Sequence, residues 1–341
     1  MLEKIPKARR GVFRVAADAG VSIATVSRTF NEPELVREDL RKRVLEAAAL
    51  VGYVPNSAAK ALRQQRTRIV GAVIPTLDHA IYATLVNAFQ VRVAQQGYTA
   101  FVLTVGFDNS NIHAGIKQLV ERGAEALMIV GRIIDEELLH FLRTKGTPWI
   151  QTYSVTVGSD HPTVGFDNAI AIQQAVDHLL QLGHRNFAMI AGPIRGNDRQ
   201  LTRIEAFHSH LARNGIPGPS PVNEKGYTLR GGADALVEIM RDHPETTAIV
   251  CSSDILAFGV THACREIGLD IPRDLSVTGF DDLEFAAMLQ PPLTTVMIAA
   301  GEMGRIAGQH IVAALDEGAP LRSACLPTKL IVRGSTAPPR K

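Results

Sequence analysis

The apolar residues of this chain follow two patterns. From Val12 to Phe30 they recur at three- and four-residue spacing, and from Ile69 onward short apolar runs alternate with helical stretches. In the first region Val12, Val15, Ala16 and Ala19 line one face of a short helix. Gly20 follows, where a chain leaving that helix needs a left-handed residue. Val21-Ser22-Ile23-Ala24-Thr25-Val26-Ser27-Arg28 opens a second helix with Ser22 as its N-cap. Val26 and Phe30 can pack back on the first helix. A small residue (Ala16), a glycine four later and an apolar residue six beyond that form helix-turn-helix spacing. A third helix is expected from about Glu38 to Val51, with Leu40, Val44, Leu45 and Ala48 inward and Arg37, Arg41, Lys42 and Arg43 outward. Pro55 ends it and Asn56 can cap a further short helix, followed by the polar linker Gln64 to Arg68. An isolated helix that short needs a partner surface, either a twin helix or DNA.

In the second region the spacing predicts strands at Ile69–Pro75, Thr99–Val105, Ala126–Val130 and Trp149–Thr152, with a helix near Ile81–Gln96. After Asp167 a second series begins, with strands at Asn186–Ala191, Ala248–Ser252 and Ser276–Phe280. Repeated βα units imply parallel, doubly wound sheets, and two series imply two lobes with a cleft between them.

Length fits this picture, because 341 residues exceed one ordinary core. With 46% hydrophobic and 21% charged residues the chain reads as globular rather than disordered. The net charge of +2 conceals an asymmetry. Residues 1–68 hold 14 Lys and Arg against 7 Asp and Glu, and the remaining residues hold 22 against 27. A basic head on an acidic body suggests that the head meets a polyanion. Met1 to Arg10 are basic without an apolar stretch after them, and no apolar run approaches a bilayer span, which makes the cytoplasm the expected compartment. Cys251, Cys264 and Cys325 form no CxxC pair, so neither a disulfide framework nor a cysteine zinc site is expected.

The strings Ala19-Gly20-Val21-Ser22, Thr25-Val26-Ser27-Arg28, Gly52-Tyr53-Val54-Pro55-Asn56 and Ala59 through Leu62 resemble the LacI/GalR family of bacterial transcriptional repressors. So do Gly165-Phe166-Asp167-Asn168, Leu182-Gly183-His184-Arg185, Asp254 with Ala257 and Gly259, and Gly279-Phe280-Asp281-Asp282, and the resemblance covers nearly the whole chain. It implies an all-α helix-turn-helix DNA-binding head with a hinge helix, joined to a two-lobed α/β periplasmic-binding-protein-like body. The implied boundaries are 1–55 for the DNA-binding domain, 56–68 for hinge and linker, and 69–341 for the effector-binding and dimerisation body. Its lobes would be 69–167 plus 298–326, and 168–297 plus 327–341. Two positions depart from the family's first helix, Gly11 and Arg14-Val15-Ala16 standing where Thr and Asp-Val-Ala are usual. The helix should therefore be less well capped, with Arg14 adding a positive charge near phosphates.

On this resemblance the DNA-binding residues are Ser22, Ile23, Ala24, Thr25, Ser27 and Arg28 on the recognition helix, with Asn56, Ala59 and Leu62 in the hinge. Ile23 and Ala24 suit thymine methyls, Arg28 a guanine or a phosphate, and Leu62 a wedge into the minor groove. The implied effector residues are Ile81, Tyr82, Tyr153, Asn197, Arg199, Arg203, Tyr227, Ser253 and Asp281, several of them at strand carboxyl ends, where open α/β sheets bind ligands. Each has a blander reading. Asp281 could cap a helix, Arg203 could pair with Glu205 or Asp198, Tyr227 could be edge packing, and Asp254 is as well suited to a cap as to a ligand contact. Two arginines facing the cleft would favour an anionic ligand such as a sugar acid; a neutral sugar is the other expectation.

No phosphate loop, GxGxxG, GxSxG or HExxH occurs, His208 and His210 sit two apart on different helix faces, and His184 is better placed to pack than to catalyse. Neither an enzyme, a cofactor nor a metal is expected. A solute-binding receptor without a DNA role would share the body, and the basic head argues against it. The expected partners are a near-palindromic double-stranded operator, a small effector and a second copy of the chain, with no membrane. Gly334 to Lys341 shows no heptads, which leaves a homodimer as the expected state.

Overall fold

The computed structural model of the protein describes residues 11–54, 66–155 and 161–340. The chain divides into two compact units, Met1–Thr67 and Arg68–Lys341.

In the first unit, α1 (Val12–Ala19), α2 (Ile23–Asn31) and α3 (Glu38–Val51) enclose a small core of Val15, Ala16, Ala19, Val26, Val44, Ala47 and Ala48. Gly20 takes φ 63° and its cap amides return to the Ala16 and Ala17 carbonyls, which ends α1 as its position predicts. Gly11 gives α1 no side-chain cap. Arg14 pairs with Asp18 one turn on, at 3.5 Å, so part of its added charge is met within the helix. One expectation for α3 is corrected. Leu45 is exposed, and Ala47 takes the inward place beside Val44 and Ala48, because the core-facing stripe turns one way round the helix rather than the other. Arg43 is exposed, as expected. Its guanidinium donates to the Ala19 carbonyl, placing a cation at the C-terminus of α1.

The second unit begins with β1 (Ile69–Ile74), α4 (Ala80–Ala94), β2 (Thr99–Thr104), α5 (Ile112–Glu121), β3 (Ala124–Val130), α6 (Glu136–Lys145), β4 (Trp149–Thr152) and β5 (Thr163–Gly165). It continues with α7 (Asn168–Gln181), β6 (Phe187–Ala191), α8 (Asp198–Arg213), β7 (Val222–Glu224), α9 (Leu229–Asp242), β8 (Ala248–Cys251), α10 (Asp254–Glu266) and β9 (Ser276–Asp281). It closes with β10 (Thr294–Met297), α11 (Ala300–Glu317), β11 (Ala324–Cys325) and β12 (Lys329–Ile331).

Two sheets result, with strand orders β11-β5-β4-β3-β1-β2 and β12-β10-β9-β8-β6-β7. All the pairings are parallel except β10 with β12. The chain passes from one sheet to the other after β5, after β10 and after β11, so each lobe takes an edge strand from the end of the sequence. β1, β3 and β6 are apolar on both faces because helices cover both sides of each sheet. No helix among the described residues is long and apolar enough to cross a membrane.

Candidate functional site

In the first unit the exposed candidate surface is the start of α2. Ser22 caps the helix, its Oγ accepting from the Thr25 amide at 3.1 Å and lying 2.9 Å from Thr25 Oγ1. Val26 and Thr29 face the core, which turns Ser22, Ile23, Ala24 and Arg28 outward and leaves Thr25 and Ser27 half-buried. Ile23 is 41% exposed at the start of the helix. Ser27 is engaged by Asn31, whose Nδ2 donates to the Ser27 carbonyl at 2.7 Å. Asn56, Ala59 and Leu62 lie outside the described residues.

In the second unit the carboxyl ends of strands from both sheets converge on a narrow cavity of about 30 Å³. The first sheet contributes His79 and Ile81 and Tyr82 beyond β1, Phe107 beyond β2 and Tyr153 beyond β4. The second contributes Arg199, Gln200 and Arg203 on α8, Tyr227 beyond β7, Ser252 and Ser253 beyond β8, and Asp281 at the end of β9. The first wall is therefore mainly aromatic and the second mainly polar.

The aromatic wall is continuous. Tyr82 and Tyr153 have ring centroids 5.2 Å apart, and Phe107 and His79 lie 4.9 and 5.4 Å from Tyr227, which reaches over from the other lobe. Tyr227 can lie there because Gly192 has no side chain; a Cβ at that position would collide with its ring. Burial raises the pKa of the Tyr82, Tyr153 and Tyr227 phenols and lowers that of His79, so all four are neutral near pH 7.

On the polar wall Arg203 lies flat on Phe280, its Cζ 3.7 Å from the ring centroid. Its Nε donates to Asn168 Oδ1 at 2.8 Å and its Nη1 to the Ser252 carbonyl at 2.9 Å, so it pairs with neither Glu205 nor Asp198. Arg199 pairs with Asp198 at 3.0 Å, and Asp198 in turn accepts from Ser154 Oγ at 2.7 Å. Asp281 accepts from Ser253 Oγ at 3.0 Å and caps no helix; Ser253 caps α10. Burial pushes the Asp281 carboxyl up to about 7, against the pull of Arg203 and Ser253. Gln200 Nε2 donates to the Tyr227 hydroxyl at 2.6 Å, while its buried Oε1 has no hydrogen-bond partner.

Eight of the nine anticipated effector residues line this cavity. Asn197 does not: its Nδ2 donates to the Pro193 carbonyl at 2.9 Å, closing the turn into α8. Asp254 is also settled. Its two oxygens accept from Thr295 Oγ1 at 2.6 Å and from the Leu283 amide at 2.7 Å, and it does not line the cavity. His79, Phe107, Gln200 and Ser252 were missed. Gln200 stands three residues before Arg203 and hence on its face of the helix. His79 and Phe107 follow strands β1 and β2, the same position that pointed to Ile81 and Tyr82.

Residues 14–56 match the family described as bacterial regulatory proteins, lacI family, and residues 176–336 match the periplasmic binding protein-like domain. The chain is 34% identical to the HTH-type transcriptional regulator MalR of Streptomyces coelicolor over 335 residues, 95% of each chain. It superposes with TM-score 0.82 on the Lac repressor dimer bound to operator and the anti-inducer ONPF, at 26% identity, covering 95% of this chain and 98% of that one. A complex of the transcriptional regulator CelR with cellobiose matches with TM-score 0.69 at 27% identity, covering 95% and 99%. A head with an outward-facing second helix, a two-lobed body with a polar and aromatic cleft, and similarity along almost the full length lead to one conclusion: the chain belongs to the LacI family and is a transcriptional regulator with a DNA-binding and a ligand-binding domain.

Proposed function

We propose that this regulator is a cytoplasmic repressor that binds a near-palindromic operator as a homodimer and is controlled by a neutral sugar held between its lobes. Ser22, Ile23, Ala24, Thr25, Ser27 and Arg28 meet the major groove, and Asn56, Ala59 and Leu62 serve as the hinge that enters the minor groove. The effector is held by Tyr82, Tyr153, Arg199, Arg203, Tyr227, Ser253 and Asp281 with Ile81, assisted by His79, Phe107, Gln200 and Ser252.

The observation that carries the ligand class is the pairing of an aromatic wall with unfilled acceptors. Gln200 Oε1 is buried without a donor, and Asp281 presents a carboxyl in the same cavity. A buried acceptor asks for a hydroxyl. Aromatic rings favour the apolar C–H face of a pyranose over a charged group. A sugar acid is less favoured in this reading, because Arg199 already has Asp198 at hydrogen-bond distance and Arg203 is engaged by Asn168 and Ser252.

Two measurements test this. A thermal-shift screen of the full chain against glucose, ribose, maltose, cellobiose, gluconate and glucuronate should give its largest rise in Tm with a neutral sugar. A response to the acids alone overturns the neutral class. In an operator-binding assay, Arg28→Ala should weaken operator binding by about 1–3 kcal/mol and leave the sugar response intact. Unchanged operator binding counts against the recognition-helix assignment.

A further inference from the structure

Asp281 reaches the cavity on a backbone that ordinary residues avoid. It has φ 118° and the next residue, Asp282, has φ 55°. Two consecutive non-glycine residues with positive φ cost on the order of 1–3 kcal/mol each and persist where the surroundings hold them. The clamps are visible on both sides. Behind the turn, Asp254 accepts from the Leu283 amide at 2.7 Å and is itself fixed by Thr295. On the other side stands Arg333, 51 positions from Asp282 and outside the cavity lining. Its Nη2 donates to Asp282 Oδ1 at 2.7 Å and its Nη1 to the Leu293 carbonyl at 2.9 Å, while its amide donates to Thr294 Oγ1 at 2.9 Å. The ion pair is largely shielded, with side chains 19% and 20% exposed.

We propose that Arg333 is a positioning residue for the effector site: it holds Asp282, and through it the strained turn that presents Asp281 to the bound sugar. This rests on the reading of the cavity as the effector site. The Arg333 guanidinium ties Asp282, just after β9, to Leu293, just before β10, with the fork geometry that suits one guanidinium to two acceptors. Among the described residues, Arg333 alone hydrogen-bonds the Asp282 carboxylate. Once it is released, Asp282 can relax to negative φ, and the preceding Asp281 side chain swings away from Ser253 and Arg203.

The test uses the full chain with aspartate labelled at the carboxyl carbon, the Asp281 signal being assigned by its loss in Asp281→Asn. In Arg333→Met, which keeps the apolar stem, the Asp281 carboxyl should titrate near the ordinary aspartate value instead of near 7. Calorimetry with glucose, ribose, maltose and cellobiose should show at least about tenfold weaker binding of any that binds the wild type. Arg333→Lys, which keeps one charged donor, should recover part of both. Should Arg333→Met fail to fold, Asp282→Ala carries the test: it removes the anchor, prefers negative φ and is expected to lower affinity and to shift the Asp281 titration in the same direction. An Asp281 titration unmoved in both variants, with affinity within about twofold, overturns the proposal. Should none of the four sugars bind the wild type, the effector reading fails for these ligands, and the Asp281 titration alone decides the role of Arg333.

Discussion

The two lobes share a fold but bring opposite chemistry to the cleft. The first sheet supplies rings and an aliphatic side chain; the second supplies two arginines, a glutamine, two serines and an aspartate, with Tyr227 as its one ring. The difference separates two tasks. Aromatic faces contribute area and shape, which vary little among sugars. Hydrogen bonds from fixed polar groups contribute discrimination, because an epimer with one misplaced hydroxyl leaves a buried group unpaired. The polar lobe is also the one whose parts are tied down: Arg203 by Asn168 and Ser252, Asp281 by Ser253 and Arg203.

The largest expected effect strikes the polar lobe. Arg203→Met removes a buried charge whose partners stay behind, and sugar affinity should fall by about 2–5 kcal/mol in calorimetry. A loss smaller than that of any aromatic truncation breaks the division of labour.

The next effect is one of pH. A carboxylate is the better acceptor for sugar hydroxyls, and the Asp281 carboxyl sits near 7. Affinity should therefore fall up to about tenfold from pH 8 to pH 6, with Asp281→Asn flattening the profile. The charged groups around it are Arg203, with Arg199 in the same cavity, and Asp254, whose carboxyl is itself raised by burial and by Asp281.

The sign for stability is opposite. The folded state holds this proton above the unfolded carboxyl's range, so the contribution is full below about pH 4 and is lost as pH rises to about 7. Denaturant midpoints of the wild type and Asp281→Asn should differ in slope across that window.

A smaller effect is expected on the aromatic lobe. Phe107→Ala should cost about 0.5–1.5 kcal/mol of affinity and should weaken different neutral sugars alike. Strong selectivity in that loss would move discrimination to the wrong wall. The smallest effect lies in the head, where Ser22→Ala should lower its stability by about 1 kcal/mol through the lost cap, measured by thermal melting.

Much of this was legible in the sequence for local reasons. Gly20 and Ser22 mark the end of one helix and the start of the next through backbone conformation and capping, which depend on a few neighbours. The runs that form β1, β3 and β6 are long and apolar enough to declare themselves. The inward face of α3 was ambiguous because Val44 and Ala48 are compatible with a third member at either Leu45 or Ala47, and packing against α1 and α2 decides between them. The short strands β5, β7, β10, β11 and β12 carry too few apolar residues to register a period; their neighbours in the sheet define them. In the cleft, Asn197 and Arg199 looked equivalent from the sequence, since both belong to one loop and helix start. The hydrogen bond to Pro193 separates them. The orphaned Gln200 oxygen and the distant Arg333 clamp are products of tertiary placement and have no local signature.

The two edge strands drawn from the end of the chain set an order of events during synthesis. The core of the head is complete by Ala48, whereas β11 and β12 close the two sheets at Ala324–Cys325 and Lys329–Ile331. At roughly 5–20 residues per second, the ribosome needs roughly a quarter of a minute to a minute to cover that interval. For nearly all of it, a nascent chain carries the completed core beneath its recognition helix while the sheets of its ligand-binding body still lack their last strands.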